Sequence, residues 1–241
     1  MYILLAFALL IGGLALAVII TGLCERQRLT GDVEPAQPPY PWAASRYWEA
    51  TRADAIRLGL QHGGDFATKK NASAVKGLAS MFLSPDQQVI VSISSASLVG
   101  AKVKKTVLRS KFANGRVLES SDNSGAWDLS GVIDRSVLLN AGIEELMGMH
   151  LQRVRSSGTS PMPFSPTAVL DEFENIDLDR GRRLVLLKLA RWADPQQTSI
   201  RLTLRGSLML VRKMISEMGK LRAQQHRAAI KRAGSRPQDR A

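Results

Sequence analysis

The sequence predicts an α+β protein: an N-terminal single transmembrane helix, then a soluble domain with an antiparallel sheet of about four or more strands flanked by helices, and a long basic C-terminal helix. Three observations predict it. Residues 2–23 carry no charged side chain. Residues 75–121 alternate apolar and polar positions between turn signals. Residues 201–241 hold eleven Lys or Arg against two acids, Glu217 and Asp239.

Composition bounds the function classes. The 241 residues are 45% hydrophobic and 22% charged, with a net charge of +12. That usage is globular rather than disordered or fibrous, and the basic balance points to anionic partners. One cysteine excludes an intramolecular disulfide and a cysteine-rich zinc site, and three well-separated histidines leave few ways to build a metal centre. No cofactor or metal is expected.

The uncharged run is long enough, at about 1.5 Å per residue, to span roughly 30 Å of hydrocarbon. No Lys or Arg precedes it, and it exceeds the apolar core of a signal peptide. Residues 1–24 are therefore expected to be a retained anchor. Leu23 stands where a lipoprotein signal needs a small residue, so Cys24 is expected to be a free thiol. Arg26 and Arg28 follow the run, and the positive-inside rule then places the remainder in the cytoplasm, giving a single-pass protein of the cell membrane. Ala8 with Gly12, and Gly13 with Ala17, form small-xxx-small pairs that would let two such helices meet in a homodimer.

Residues 25–42 read as a Pro-rich linker, because Pro35, Pro38, Pro39 and Pro41 forbid helix. An α+β domain is expected over 43–155. Ser45 caps a helix running to about Leu60, which Gly63-Gly64 ends. Strands are expected over 75–83, 88–95, 102–112 and 116–121. Ser84-Pro85-Asp86 is a type I turn signal, and Asn114-Gly115 reads as a type I′ hairpin turn. Lys102, Lys104 and Lys105 mark an edge or solvent face. Ile143, Leu146, Met147, His150, Leu151 and Val154 recur on one helical face, with Asn140 as its cap. Residues 156–166 read as a linker or long loop. Residues 167–233 form a helical C-terminal portion packed on the domain. Ser165-Pro166, just ahead of it, starts a short helix; within it a leucine-rich run over 183–192 is helical and buried, and Ile200, Leu202 and Leu204 alternate as a strand. A final helix over 207–233 presents Leu208, Val211, Ile215, Met218 and Leu221 on one face. Residues 234–241 are a disordered basic tail.

No catalytic residue emerges from the motifs. Ser73-Ala-Val-Lys76, Ser121-Asp122-Asn123 and Lys105-Thr106-Val107 resemble the S-x-x-K, S-D-N and K-T-G set of penicillin-recognising enzymes. Their order and context differ: the Ser-Lys pair enters a strand, and the Lys-Thr pair precedes S-D-N and lacks its Gly. His62 lacks an identifiable nucleophile, His150 lies on an apolar helix face as a core residue would, and His226 sits in a basic helix. The acidic run Asp171, Glu172, Glu174, Asp177 and Asp179 has the wrong spacing for a calcium loop. Residues 200–206, followed by a helix, resemble the wing strand and exit helix of winged-helix regulators over about a dozen positions, without a recognition helix before them.

The remaining signal is charge. Arg212, Lys213, Lys220, Arg222, Arg227, Lys231, Arg232 and Arg236 are the candidate contacts to an anionic surface. The expected function is a membrane-anchored, non-catalytic interaction or scaffold module whose basic helix touches a lipid bilayer, its anionic phospholipid headgroups or an acidic protein. The alternative is a membrane-anchored nucleic-acid-binding protein, and the third reading is a small hydrolase.

Overall fold

The computed structural model describes residues 26–30, 33–40, 45–69, 76–98, 101–123 and 128–216, together with positions 16, 20, 23 and 24, which are helical. Two short strands come first, β1 (Gln27–Arg28) and β2 (Val33–Pro35), inside the stretch expected to be a linker. Ser45 then starts helix α1 (Arg46–Arg57): its side chain accepts the Trp48 N–H at 3.2 Å, satisfying one of the helix's orphan donors.

A meander follows: β3 (Gln61–Thr68), β4 (Lys76–Leu83), β5 (Ile90–Leu98), β6 (Ala101–Lys111) and β7 (Val117–Ser121). Strand β8 (Ile133–Val137) returns on the far side of β7 and runs parallel to it. The sheet order is β2-β3-β4-β5-β6-β7-β8, so the expected antiparallel sheet is a seven-stranded mixed one. The β4–β5 turn closes as expected, with Gln87 N–H bonded to the Ser84 carbonyl. The β6–β7 turn does not have the expected type. Gly115 has φ +78, but Asn114 does not enter the positive region that a type I′ turn requires. Gly115 N–H bonds the Phe112 carbonyl and Phe112 N–H bonds the Arg116 carbonyl, which matches a type I turn followed by a left-handed glycine.

Helix α2 (Ile143–Ser156) is capped by Gly142 rather than Asn140, which sits in the preceding turn at φ +59. Helix α3 (Val169–Leu186) follows, starting after the Ser165-Pro166 turn, and then strands β9 (Ala190–Trp192) and β10 (Ser199–Leu202). These pair with β1 into a second sheet, β1-β10-β9. Arg26 closes that sheet against Asp194 at 3.1 Å. A last helix, α4, covers residues 204–216 of the described chain. The rest of the expected 207–233 helix and the tail lie outside the described residues.

The sheet separates two cores. On one side α1 and α2 bury Trp48, Ala55, Phe82, Val91, Leu108, Ile143 and Leu146. On the other, α3 covers Phe66, Met81, Leu83, Ile90, Val117 and Ile133. A third cluster, Leu29, Leu184, Leu189, Ile200 and Leu202, joins α3 to the small sheet.

The expected transmembrane helix is corrected here. Among the described residues no helix is long and apolar enough to cross a membrane. The longest, α3, has 18 residues but carries five acids and three arginines, and buries only one face. Spanning hydrocarbon takes about 20 predominantly apolar residues. The single-pass topology, the cell-membrane assignment and the cytoplasmic orientation rested on that helix and are withdrawn with it. Most of residues 1–24, including the small-xxx-small pairs, lie outside the described residues.

Candidate functional site

Helix α4 is rooted by one face. Thr203 N–H bonds the Leu189 carbonyl at 2.9 Å, and Thr203 Oγ1 bonds the Lys188 carbonyl at 3.0 Å, so α4 starts beside the turn that ends α3. Gly206 and Ser207 are buried against that turn, and a Cβ at Gly206 would overlap the Leu189 carbonyl oxygen. Only glycine lets the helix approach this closely. Val211, at 8% exposure, completes the covered face.

The face that adjoins Val211 is uncovered among the described residues. Leu204, Leu208 and Ile215 are 57%, 52% and 52% exposed. At about 100° per residue these three fall within about 40° of one another, one apolar stripe along the helix. Arg205 and Arg212 are exposed and flank the stripe on its far side from Val211, with Met209 beyond them. Leu186 and Leu187 are exposed in the adjoining turn. The expectation that Leu208 and Ile215 pack on the domain, and that the 183–192 run is buried throughout, is therefore corrected. Leu184, Leu189 and Val211 are covered; Leu186, Leu208 and Ile215 are not.

Of the eight basic residues expected to contact an anionic surface, two are described. Arg212 is exposed. Lys213 is half-buried, and its ammonium donates to the Asp128 carbonyl, so it braces the loop before β8. Lys220, Arg222, Arg227, Lys231, Arg232 and Arg236 lie outside the described residues.

The structure brings together two of the three motifs compared with penicillin-recognising enzymes, in a structural role. Thr106 N–H donates to Asp122 Oδ1 at 2.8 Å, and Asn123 Nδ2 donates to the Lys104 carbonyl at 3.0 Å. These bonds staple the open end of the β6–β7 hairpin. The Tyr47 hydroxyl donates to Asp122 Oδ2 at 2.6 Å, and burial together with that carboxylate pushes its pKa above the ordinary tyrosine value. Lys76 begins β4, and Ser73 lies outside the described residues.

His62 has a partner that the sequence did not reveal. A bulge between His62 and Gly64 brings Asp65 to the histidine, Nε2 to Oδ1 at 2.9 Å. Ser80 Oγ donates to the same oxygen at 2.5 Å, while Tyr40 at 2.8 Å and Arg52 at 3.2 Å donate to Oδ2. Burial alone would raise the Asp65 carboxyl; the bonds from Ser80, His62 and Tyr40 outweigh it and hold the pKa down. Ser80 is fully buried and bonded to the acid rather than to the histidine, so this is not a nucleophile–base–acid relay. Asp65 acts as a four-donor clamp joining α1 and the segment before it to the sheet.

His150 is fully buried between two serines, Nδ1 2.9 Å from Ser120 Oγ and Nε2 3.0 Å from Ser110 Oγ. Ser110 Oγ donates to the Gln88 carbonyl, and Arg153 donates to Ser120 Oγ. The network then assigns the proton to Nε2, with Ser120 donating to Nδ1. Burial first, and the Arg153 charge second, push its pKa down to about 4.

Of the acidic run, Glu172 pairs with Lys111 at 2.7 Å, Asp179 with Arg182 at 2.9 Å, and Asp177 with Arg109 at 3.3 Å. No group of three or more potential ligands could hold a metal ion among the described residues. Cys24 is exposed and free. No family model, curated protein or solved structure matches the chain.

Proposed function

We propose that the chain is a non-catalytic interaction module that lays the outer face of α4 on an anionic phospholipid surface. The observation that supports this is the stripe Leu204, Leu208 and Ile215, more than half exposed, bordered on its solvent side by Arg205 and Arg212 on a helix fixed to the domain by the adjoining face. Interfacial helices combine an apolar stripe that enters the headgroup boundary with flanking cations that meet anionic lipid. A duplex nucleic-acid surface would be met by the arginines but gains nothing from the leucines.

The magnitudes describe a reversible contact. Removing the exposed half of three aliphatic side chains from water contributes about 3 kcal/mol at the usual transfer scale. Two arginines near an anionic surface add about 1 kcal/mol each. A total near 5 kcal/mol corresponds to dissociation on the order of 0.1–1 mM for α4 alone. Binding should weaken with salt, because the arginine part is screened over about 8 Å at physiological ionic strength.

The test uses the full chain with Cys24→Ser and Met209→Cys, carrying an environment-sensitive fluorophore at position 209. Vesicles of phosphatidylcholine with phosphatidylserine should shift its emission to the blue, and phosphatidylcholine alone should not. The label reports on α4 itself, whatever other segments do. An unshifted emission with anionic vesicles would remove the proposal, and a shift with duplex DNA in place of vesicles would transfer the face to nucleic acid.

A further inference from the structure

We propose that Lys105, Arg135 and Arg180, on the α3 side of the sheet, bind a phosphate group, carried by the free ion or by a phosphomonoester. A transverse row of the sheet changes character along its length. Register aligns Leu83, Ile90, Arg109, Glu119 and Arg135 across β4 to β8, so an apolar floor turns ionic at β6. Glu119 is fully buried and holds two guanidiniums, Arg109 Nε at 2.9 Å and Arg135 Nε at 2.5 Å. Arg109 reaches across to α3, where both of its terminal nitrogens lie 3.3 Å from Asp177. Its guanidinium stacks 4.0 Å above the Phe173 ring. Arg180 Nε lies 3.7 Å from Asp177.

The charges in this cluster do not balance. Lys105, Arg109, Arg135 and Arg180 face two carboxylates, Glu119 and Asp177, leaving two positive charges over. Both carboxylates already serve Arg109. The surplus donors are identifiable: Arg135 Nη1 and Arg180 Nε are buried and have no hydrogen-bond partner. Lys105 Nζ makes no hydrogen bond or ion pair among the described residues, although Glu119, Arg135, Arg109 and Asp177 all act on its charge. Burial pushes the Lys105 pKa down, helped by Arg135 and Arg109, and outweighs the opposing pull of Glu119 and Asp177. The serine side chains of β5 that share this face, Ser92 and Ser94, are paired in register with Val107 and Lys105 and keep the floor polar.

An unpaired charge out of water is costly, and an anion repairs that cost most directly. A phosphate monoanion or dianion carries about −1 to −2 near neutral pH, which matches the surplus, and its oxygens accept from both arginine nitrogens and from a lysine point charge. The cluster borders solvent, since the Arg135 and Arg180 side chains are 13% and 15% exposed although the two unpartnered nitrogens are themselves buried. This site is separate from the α4 face and does not depend on the lipid reading.

The experiment is thermal unfolding of the full chain in inorganic phosphate against sodium chloride of equal ionic strength. At phosphate about a hundredfold above Kd, Tm should rise by about 5 °C or more beyond the chloride control. Lys105→Gln and Arg180→Gln leave Glu119 with both guanidiniums, so they preserve the ion network that holds α3. Each should cut the phosphate-dependent rise by half or more, and Lys105→Gln should leave the ligand-free Tm unchanged or higher. Glycerol phosphate giving the same rise would identify a phosphomonoester as an accepted source; failure of glycerol phosphate alone would restrict the site to the free ion. No rise over chloride, or the same rise in both variants as in the parent chain, would overturn the proposal.

Discussion

On one face of the seven-stranded sheet, α1 and α2 seal Trp48, Phe82, Val91, Leu108 and Leu146 into an apolar layer that also encloses a neutral histidine. On the other, α3 covers an apolar floor only as far as Ile90 and Ile133, and then rests through its own Asp177 on Arg109, with Glu119 and Arg135 behind it. At its apolar centre the first face is held by burial that requires no partner beyond good packing, with the Asp65 clamp tying α1 to the sheet at its margin. The second is held by charges that stabilise only while every partner is present. The packed centre of the first face is therefore the tolerant side of the sheet and the ionic cluster under α3 the all-or-none side, and the surplus cations occur on the latter.

Removing one partner from the ionic side should give the largest effect. Glu119→Ala leaves Arg109 and Arg135 facing each other without their shared acceptor, and should cost about 3–5 kcal/mol in the urea unfolding free energy. Leu108→Ala on the tolerant side should cost about 2–5 kcal/mol through its cavity, and there a Leu108→Met exchange should recover most of the loss. If Glu119→Gln, which conserves shape, recovered stability equally well, the contrast between the faces would fail.

Acid should separate the faces next. His150 is held neutral down to about 4, whereas an unfolded chain protonates histidine near 6.5. The unfolded state then binds the extra proton, so the stability tied to neutral His150 is complete above pH 6.5 and declines as pH falls toward 4, by about 3 kcal/mol in all. On the ionic face burial alone would raise the Glu119 carboxyl, but Arg109, Arg135 and Lys105 outweigh it and hold it down to about 2. Its contribution is present above the ordinary glutamate value near 4.5 and is lost as pH falls from there toward 2. Urea midpoints measured from pH 7 to 3 should show the histidine side weakening first. His150→Asn should flatten the profile between pH 6.5 and 4 while leaving the decline below 4.5 in place.

Two local features give smaller effects. Gly115→Val forces a β-branched residue to φ near +78 in the hairpin that sets β6 against β7, and should cost about 1–3 kcal/mol by thermal unfolding. Ser45→Ala removes the cap of α1 and should cost about 1 kcal/mol.

The meander from β4 to β7 was legible because Val89, Val91 and Ile93 alternate with polar neighbours and because Pro85 and Gly115 sit at turns. The second helix was legible from Ile143, Leu146 and His150. Strand β3 was not, because Gly63 and Gly64 read as breakers while the structure uses them within a bulged strand. Strands β1, β2 and β8 span two, three and five residues, too short for a period to register. The ion network was invisible for a different reason: Arg109 meets Glu119 ten residues away and Asp177 sixty-eight away, pairings that only register and the placement of α3 create. The α4 stripe was seen as apolar but assigned to the core, since periodicity identifies a face and not what lies against it.

The measurement that bears most directly on α4 separates stability from docking in one protein. Leu208→Ser with Ile215→Ser is introduced into the chain labelled at position 209, and Tm is recorded beside the emission shift with anionic vesicles. Tm should stay within about 1 °C of the parent, because both side chains are already half in water, while the blue shift is lost. A Tm lowered by several degrees would show that the stripe belongs to the core, and an undiminished shift would show that the leucines take no part in the contact.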